Sequence, residues 1–281
     1  MPASPQSHPL RRYLRISMRG LIVLVLVTGA WLGWVTRSAR IQREAVDAIE
    51  SDRGMVFYDW ELSQGKYSPG GRPWAPEWLV NLVGIEHFGH VIQVRFWGAW
   101  WLTDDVIVHV GRLTQLQELI LTDSSVGDVG LAHLSGLTRL SSLDLRFTLV
   151  TDTGLVHLKR LTALESLDLS RNRITDAGLA HLKALRKLTT LKIGYTQVTD
   201  AGLVHLDGMS NLVYLDLEST PISDAGLARL KGLTKLLSLR LSHTHVTEAG
   251  IKELEQALPG LIIDFFPDFP LPGRKSSVSH L

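Results

Sequence analysis

Residues 119–142 read LILTDSSVGDVGLAHLSGLTRLSS, and residues 143–166 read LDLRFTLVTDTGLVHLKRLTALES. The phrase returns as LDLSRNRITDAGLAHLKALRKLTT at 167–190, LKIGYTQVTDAGLVHLDGMSNLVY at 191–214, LDLESTPISDAGLARLKGLTKLLS at 215–238, and LRLSHTHVTEAGIKELEQALPG from 239. The period is 24 residues, and no insertion breaks it before the last copy. A fixed period in this range predicts a stacked solenoid, in which each unit buries its apolar side against its neighbours. Such proteins are usually binding surfaces. The period does not say which molecule is bound.

Each unit has two halves. Leu143 and Leu145 alternate with Ser142, Asp144 and Arg146, the period of a short strand with one buried face. Leu155, Leu158, Leu161 and Leu164 then fall three apart, one stripe of a short helix. Repetition of strand and helix predicts a parallel sheet with helices outside it. Strands pack about 4.8 Å apart and helices about 8–10 Å apart, so the stack is expected to curve with its strands inside.

The punctuation also repeats. Asp128, Asp152, Asp176, Asp200, Asp224 and Glu248 precede each helix, usually after Thr or Ser, where acceptor side chains cap free N–H groups; either residue of the pair can be the cap. Gly130, Gly154, Gly178, Gly202, Gly226 and Gly250 follow two residues later, where a glycine lets backbones approach closely. Ser124, Thr148, Asn172, Thr196, Thr220 and Thr244 share one slot after the strand and are expected to bond turn backbone as a ladder.

The pattern LxxLxLxxTxVTDxGLxxL resembles the leucine-rich repeat family, and among its subclasses the LxxLxLxx(C/N)xITDxGLxxL units found, among other places, beside F-box domains. The resemblance covers roughly residues 90–263. One departure is visible: the Cys or Asn slot holds Thr or Ser in five of six copies. The family implies a curved horseshoe with a parallel concave sheet, convex helices and, most often, protein recognition. The fold class is therefore α/β, a leucine-rich repeat solenoid over 94–263 with one degenerate unit ahead of six regular ones.

Residues 1–43 hold seven arginines and no acid, and residues 20–36, GLIVLVLVTGAWLGWVT, carry no charge. Seventeen helical residues span about 26 Å, at the short limit for a hydrocarbon core. The reading is a basic cytoplasmic segment (1–19) and a transmembrane signal anchor (20–36), with Trp31 and Trp34 in the aromatic belt and the repeats outside the cytoplasm. A signal peptide cleaved near Thr28-Gly29-Ala30, giving a secreted protein, is the alternative, and a buried soluble helix a further one. Residues 37–93 form a Trp-rich cap region. There a strand (55–60), a Gly/Pro loop (65–73) and a helix (77–83) are expected. Trp74, Trp78 and Trp97 are expected to seal the first repeat, or else to form an aromatic ligand slot. This layout, an anchor, then YDW, then PEWL, then repeats, is similar to a group of bacterial leucine-rich repeat proteins of unassigned role. Residues 264–281 read as a short cap and a disordered tail.

Motifs for chemistry are few. The chain has no cysteine, which excludes disulfides and Cys-ligated metals. His133, His157, His181 and His205 recur at one helix position, with neighbours expected about 10 Å apart, too far to share a metal ion. His87 with His90, and His243 with His245, lack a third ligand. There is no G-x-S-x-G, Walker A loop, G-x-G-x-x-G or HExxH. No cofactor, metal or catalytic residue is assigned, and the protein is not read as an enzyme. An enzyme site in the N-terminal cap is the remote alternative. From Leu119 to Ile263 there are 15 Lys or Arg and 15 Asp or Glu, so no basic field marks a nucleic-acid partner.

The candidate site is the concave face. Strand residues pointing away from the leucines vary between copies. Ile120, Asp144, Asp168, Lys192, Asp216 and Arg240 form one row, and Thr122, Arg146, Ser170, Gly194, Glu218 and Ser242 the next, bordered by Phe147, Arg171, Tyr195 and His243. The binding candidates are Asp144, Arg146, Asp168, Lys192, Tyr195, Tyr214, Asp216, Glu218 and Arg240, with Tyr and Arg the preferred anchors. The expected function is a membrane-anchored interaction protein that binds a protein or a cell-envelope polymer. A cytoplasmic adaptor or substrate-recognition module is the alternative.

Overall fold

A computed structural model describes residues 18–63, 66–67 and 72–266. Its centre is a nine-stranded sheet. Strand β1 (Met55–Tyr58) runs antiparallel to β4 (Val91–Arg95). From β4 onward every pairing is parallel: β5 (Glu118–Ile120), β6 (Ser142–Asp144), β7 (Ser166–Asp168), β8 (Thr190–Lys192), β9 (Tyr214–Asp216), β10 (Ser238–Arg240) and β11 (Ile262–Asp264). Strands β2 (Leu62–Ser63) and β3 (Lys66–Tyr67) make a separate hairpin. The register is the sequence period made spatial, since Leu143, Leu167, Leu191, Leu215 and Leu239 pair in succession. One slip would turn the leucines outward, so the buried stripe itself locks the register. The leucines of the strands and of the helical stripe form one continuous core, most of them fully buried.

The other side of the stack carries α3 (Asp104–Val110), α4 (Asp128–Leu134), α5 (Asp176–Leu179), α6 (Asp224–Leu230) and α7 (Glu248–Ala257). Not every unit forms the expected α-helix. Residues Gly154–Arg160 and Gly202–Leu206 are 3-10 helix throughout, and α5 continues as one over Ala180–Leu182. The wide spacing helices need conflicts with the narrow spacing of strands, and the tighter 3-10 turn relieves it.

The repeated Thr/Ser–Asp pair divides its work between a tie and a cap. Asp152 Oδ1 accepts the Thr175 backbone N–H at 2.8 Å and Oδ2 accepts the Thr175 hydroxyl at 2.5 Å. Asp128 holds Thr151, Asp176 holds Thr199, Asp200 holds Ser223 and Asp224 holds Thr247 in the same way. Each aspartate thus ties its own repeat to the next. The helix cap is the hydroxyl before it: Thr175, Ser223 and Thr247 accept N–H groups of their own helices. The glycine makes room for the tie. A Cβ on Gly178 would lie 2.3 Å from Asp152 Oδ1, and one on Gly154 2.3 Å from Asp128 Oδ1. The polar ladder forms as expected, with Thr148, Thr196 and Thr244 donating to carbonyls three residues back. Asn172 does more. Its amide donates to Leu169 and Leu145, and its oxygen accepts from Thr148, so it joins two repeats.

The N-terminal boundary differs from the expectation. Helix α1 (Met18–Ser51) is unbroken across residues 36 and 37. Its stretch from Leu21 is apolar and long enough to cross a membrane, with none of the apolar window buried. From Ala39 the same helix packs on the solenoid, burying Ala45, Val46 and Ile49 beside Tyr58 and Phe96. This packing closes the open end. Strand β1 and α2 (Glu77–Val83) fall where they were expected, but most of the Gly/Pro loop lies outside the described residues. The tryptophans expected to seal the first repeat do not: Trp74 is 80% exposed, and Trp78 and Trp97 are each 67% exposed. Trp60, outside that group, packs on the core, stacked on Tyr58 at 4.6 Å. Helix α1 had already filled the place they were assigned. At the other end β11, Ile263 and Phe265 cover the last repeat, and the tail expected from 267 lies outside the described residues.

Candidate functional site

The open face of the sheet carries the candidate residues, and their geometry follows from one local motif. Asp144, Asp168 and Asp216 end their strands and turn back to accept the N–H two residues on, at 2.9 Å from Arg146, 3.0 Å from Ser170 and 3.0 Å from Glu218. Short acidic side chains suit this turn, because they mimic a backbone acceptor. The next residue of each unit is left-handed: Asp123, Phe147, Arg171, Tyr195, Ser219 and His243 all have φ between 53° and 61°. None is glycine, and the conformation is costly for such residues. It aims six variable side chains along one rim of the sheet.

Eight of the nine candidates line one shallow depression of about 210 Å³: Arg146, Asp168, Lys192, Tyr195, Tyr214, Asp216, Glu218 and Arg240, joined by Ser170 and Arg171. Asp144 lies one strand outside it. The walls are wired together. Arg240 sits 2.9 Å from Asp216 and 3.3 Å from Asp264, and it also pairs with Glu218. Lys192 faces Asp168 at 3.4 Å. The Tyr195 hydroxyl donates to Glu218 at 2.8 Å, and Arg171 lies over the Tyr195 ring at 4.0 Å.

The electrostatics follow from burial. Asp168 and Asp216 are buried, and burial pushes the Asp216 carboxyl above its ordinary value against the pull of the Glu218 N–H and Arg240. Burial pulls the other way on Arg240, but Asp216 and Glu218 outweigh it and its guanidinium is held more firmly charged than usual. Four cations and three carboxylates line the depression, so it is close to neutral. The charges are not spread evenly. Arg240 is committed to three carboxylates, whereas Arg146 is exposed and has no ion pair among the described residues. Arg240 therefore holds the patch together, and Arg146, Arg171 and Tyr195 present its free surface.

A second depression of about 340 Å³ adjoins on the same rim, lined by Trp100, Phe147, Leu149, Arg171 and Arg173 among others. Trp100, Leu149 and Arg173 were not legible as site residues. Phe147 and Leu149 stand in slots whose only signal is exposure of an apolar side chain, which a sequence does not display. The histidine column lies on the helical side, with His133 exposed and the others half-buried. His205 is held below its ordinary value by burial and by nearby Lys183. His87 ends a 3-10 turn and His90 precedes β4, so the two do not share a helix face. No cluster of three metal-ligating side chains occurs among the described residues.

Comparison with known proteins agrees on the repeat. Residues 114–174 and 162–222 match the family model for the leucine rich repeat, within the stack of strands and helical segments described above. Among solved structures, an internalin (inlF) from Listeria monocytogenes is 26% identical over 58% of this chain and 51% of that one, with a TM-score of 0.47. An internalin C2 (inlC2) from Listeria monocytogenes is 25% identical over 63% of this chain and 81% of that one, with a TM-score of 0.49. The chain spans about half the length of the first of these. A search of curated proteins returned no match.

Proposed function

We propose that this is a membrane-anchored, non-catalytic interaction protein that binds a protein partner on the open face of its sheet. One observation carries the reading: variable positions scattered over residues 146–240 converge on a single wired depression with an aromatic–cation pair on its rim. Function is taken from this site and not from the fold. Arg and Tyr supply disproportionate binding energy at interfaces. The preformed ion pairs also limit the ordering that binding would cost. Arg146 and Arg171 leave donors free for carboxylates, and exposed Phe147, Leu149 and Trp100 offer apolar contact beside them. The partner expected is thus a protein surface that joins acidic to apolar groups. An acidic envelope polymer would meet the arginines alone.

The anchor reading is supported by α1 and by the arginines flanking its apolar stretch. The subclass reading, F-box-associated repeats, rests on the TDxGL motif of the sequence alone. The test is capture of partners from membranes by the full chain. Tyr195→Ala and Arg171→Ala should each weaken a captured complex by about 1 kcal/mol or more, the scale of interface anchors. His157→Ala and His181→Ala on the helical side should leave it unchanged. Binding that survives the first pair and fails on the second would move the site to the other face.

A further inference from the structure

The equal numbers of acids and bases in the repeats conceal a separation of charge. The six-residue turns that begin at Gly111, Ser135, Lys159, Lys183, Asp207 and Lys231 hold nine Lys or Arg and one acid, Asp207. Each turn leads from a helical segment into the next strand, so parallel stacking lines them along one edge of the solenoid. The nine cations are all exposed. Among the described residues only Arg112 and Lys231 reach a carboxylate, at 3.9 Å and 3.3 Å. Five acids, Asp128, Asp152, Asp176, Asp200 and Asp224, stand at or just before the opposite ends of the helical segments, where they tie repeats together, while Glu165 directly follows the turn from Lys159.

Helix α1 gives this edge a direction. Trp34 and Arg37 share a groove of about 420 Å³ with His90, Val91, Arg112 and Gln115, at the start of β4 and in the first basic turn. Gln42, in the same groove, donates to the Gly89 carbonyl just before β4, and Ile49, two turns further on, reaches the place where Gly54 meets Phe96, beyond the end of β4. From Trp34 to Ile49 the helix rises about 22 Å, while the backbone from Val91 to Phe96 advances about 16 Å. Helix and strand therefore run side by side in the same sense. The apolar stretch of α1 ends at Thr36, level with the basic turns. A bilayer around that stretch would lie directly beneath the basic edge, with the strands pointing away from it.

We propose that the basic edge rests on the anionic phospholipid headgroups of the membrane that holds α1, so that the solenoid lies along the bilayer and its sheet face stays accessible from the side. The inference rests on the anchored reading. Exposed cations close to an anionic surface are attracted within about a Debye length, roughly 8–10 Å at ordinary ionic strength. Five of the six turns on a rigid stack offer that attraction, the turn from Asp207 being the exception, and Trp31 and Trp34 suit the headgroup level where α1 leaves the bilayer.

The chain has no cysteine, so single reporters can be placed cleanly. Ala184→Cys puts one on the basic edge, and Gln197→Cys puts one on the opposite edge, in the repeat that follows, both exposed. The full chain is reconstituted into phosphatidylcholine nanodiscs with or without phosphatidylglycerol. Energy transfer is then read from a fluorophore on each cysteine to an acceptor on the lipid headgroup. The expected result is greater transfer from position 184 than from 197 in anionic bilayers. The difference should shrink in neutral bilayers, in about 1 M salt, where the Debye length is about 3 Å, and in the triple variant Arg139→Glu, Arg186→Glu, Lys235→Glu. Equal transfer, or more from 197, overturns the inference while leaving the anchor intact. A difference of the same size in neutral bilayers also overturns it, because headgroup charge then has no part. A chain that fails to float with liposomes at all overturns the anchored reading itself.

Discussion

Replacing Gly178 by alanine tests the tie between repeats. Gly178 lies within α5 and its φ is not left-handed, so propensity alone would favour alanine by up to about 1 kcal/mol. Packing opposes it. The new Cβ would stand 2.3 Å from Asp152 Oδ1 and 3.0 Å from Leu155 Cδ1. Asp152 cannot withdraw freely, because its two oxygens hold the N–H and hydroxyl of Thr175. Hydrogen bonds to a charged acceptor contribute about 1.5–3 kcal/mol each, so losing one or both outweighs the propensity gain and leaves a net loss of about 2–4 kcal/mol. Urea unfolding of the full chain in detergent measures it, with Gly232→Ala as the control. A Cβ at Gly232 meets nothing within 4 Å, so that change should fall within about 0.5 kcal/mol. Pairing Gly178→Ala with Asp152→Ala should be less damaging than the sum of the two, because the second change vacates the space the first needs. If Gly178→Ala behaves like Gly232→Ala, or if the double variant is strictly additive, the glycine is not there to admit the carboxylate.

Three further outcomes are expected. Leu167→Ala, at a fully buried position, should cost about 2–5 kcal/mol, whereas His181→Ala on the half-buried helical side should stay within about 0.5 kcal/mol; the reverse order in denaturant melts would invert the inner and outer faces. Burial raises the Asp128 carboxyl, but bonds from Thr151, Thr153 and Gly154 outweigh it and hold the group below its ordinary value. The folded state then binds fewer protons than the unfolded one, so this stabilisation is present above the ordinary carboxylate range and is lost as pH falls through the folded value. Asp128→Asn should flatten the acid limb of stability against pH, and an unchanged limb would refute the tie's contribution. A reporter active only outside the cytoplasm, fused to the C-terminus, should be active and membrane-bound; a soluble, cytoplasmic fusion would refute the topology.

What could be read from the sequence was whatever the 24-residue period carried. Stacking turns a sequence slot into a column in space, so the leucine core, the strand register and the polar ladder followed from slots alone. So did the gathering of Asp168, Lys192, Asp216, Glu218 and Arg240 on one face, since their slots are neighbours in register. The tie made by the aspartates was not legible for a related reason. A capping reading looks two or three residues ahead, whereas Asp152 acts 23 residues ahead, on Thr175. That partner is visible only when the copies are laid over one another. Outside the period no such help exists. Nothing in residues 37–51 distinguishes a helix that continues the apolar stretch from a linker after it. The tryptophans were therefore given a sealing role that α1 fills.

The same argument explains how a balanced domain can have a charged edge. Summed charge ignores position, but in a solenoid position is fixed by slot. Acids prefer the start of a helical segment and bases its end, where each suits the local dipole. In an isolated helix that preference leaves a small separation of charge at either end. Here the segments are held parallel by strand pairing, so equal separations add instead of cancelling. Asp207 is the exception among the six turns, and no Lys or Arg stands in the turn that follows it up to Asn211. A gap of one repeat therefore divides the basic edge, with Arg186 and Lys187 on one side and Lys231 and Lys235 on the other. If the edge works through summed charge, Asp207→Lys should fill the gap and increase transfer from position 184 to anionic headgroups without altering it in neutral bilayers. If transfer falls or does not change, attraction is confined to the turns next to α1, and the far repeats are held above the membrane by the stiffness of the stack alone.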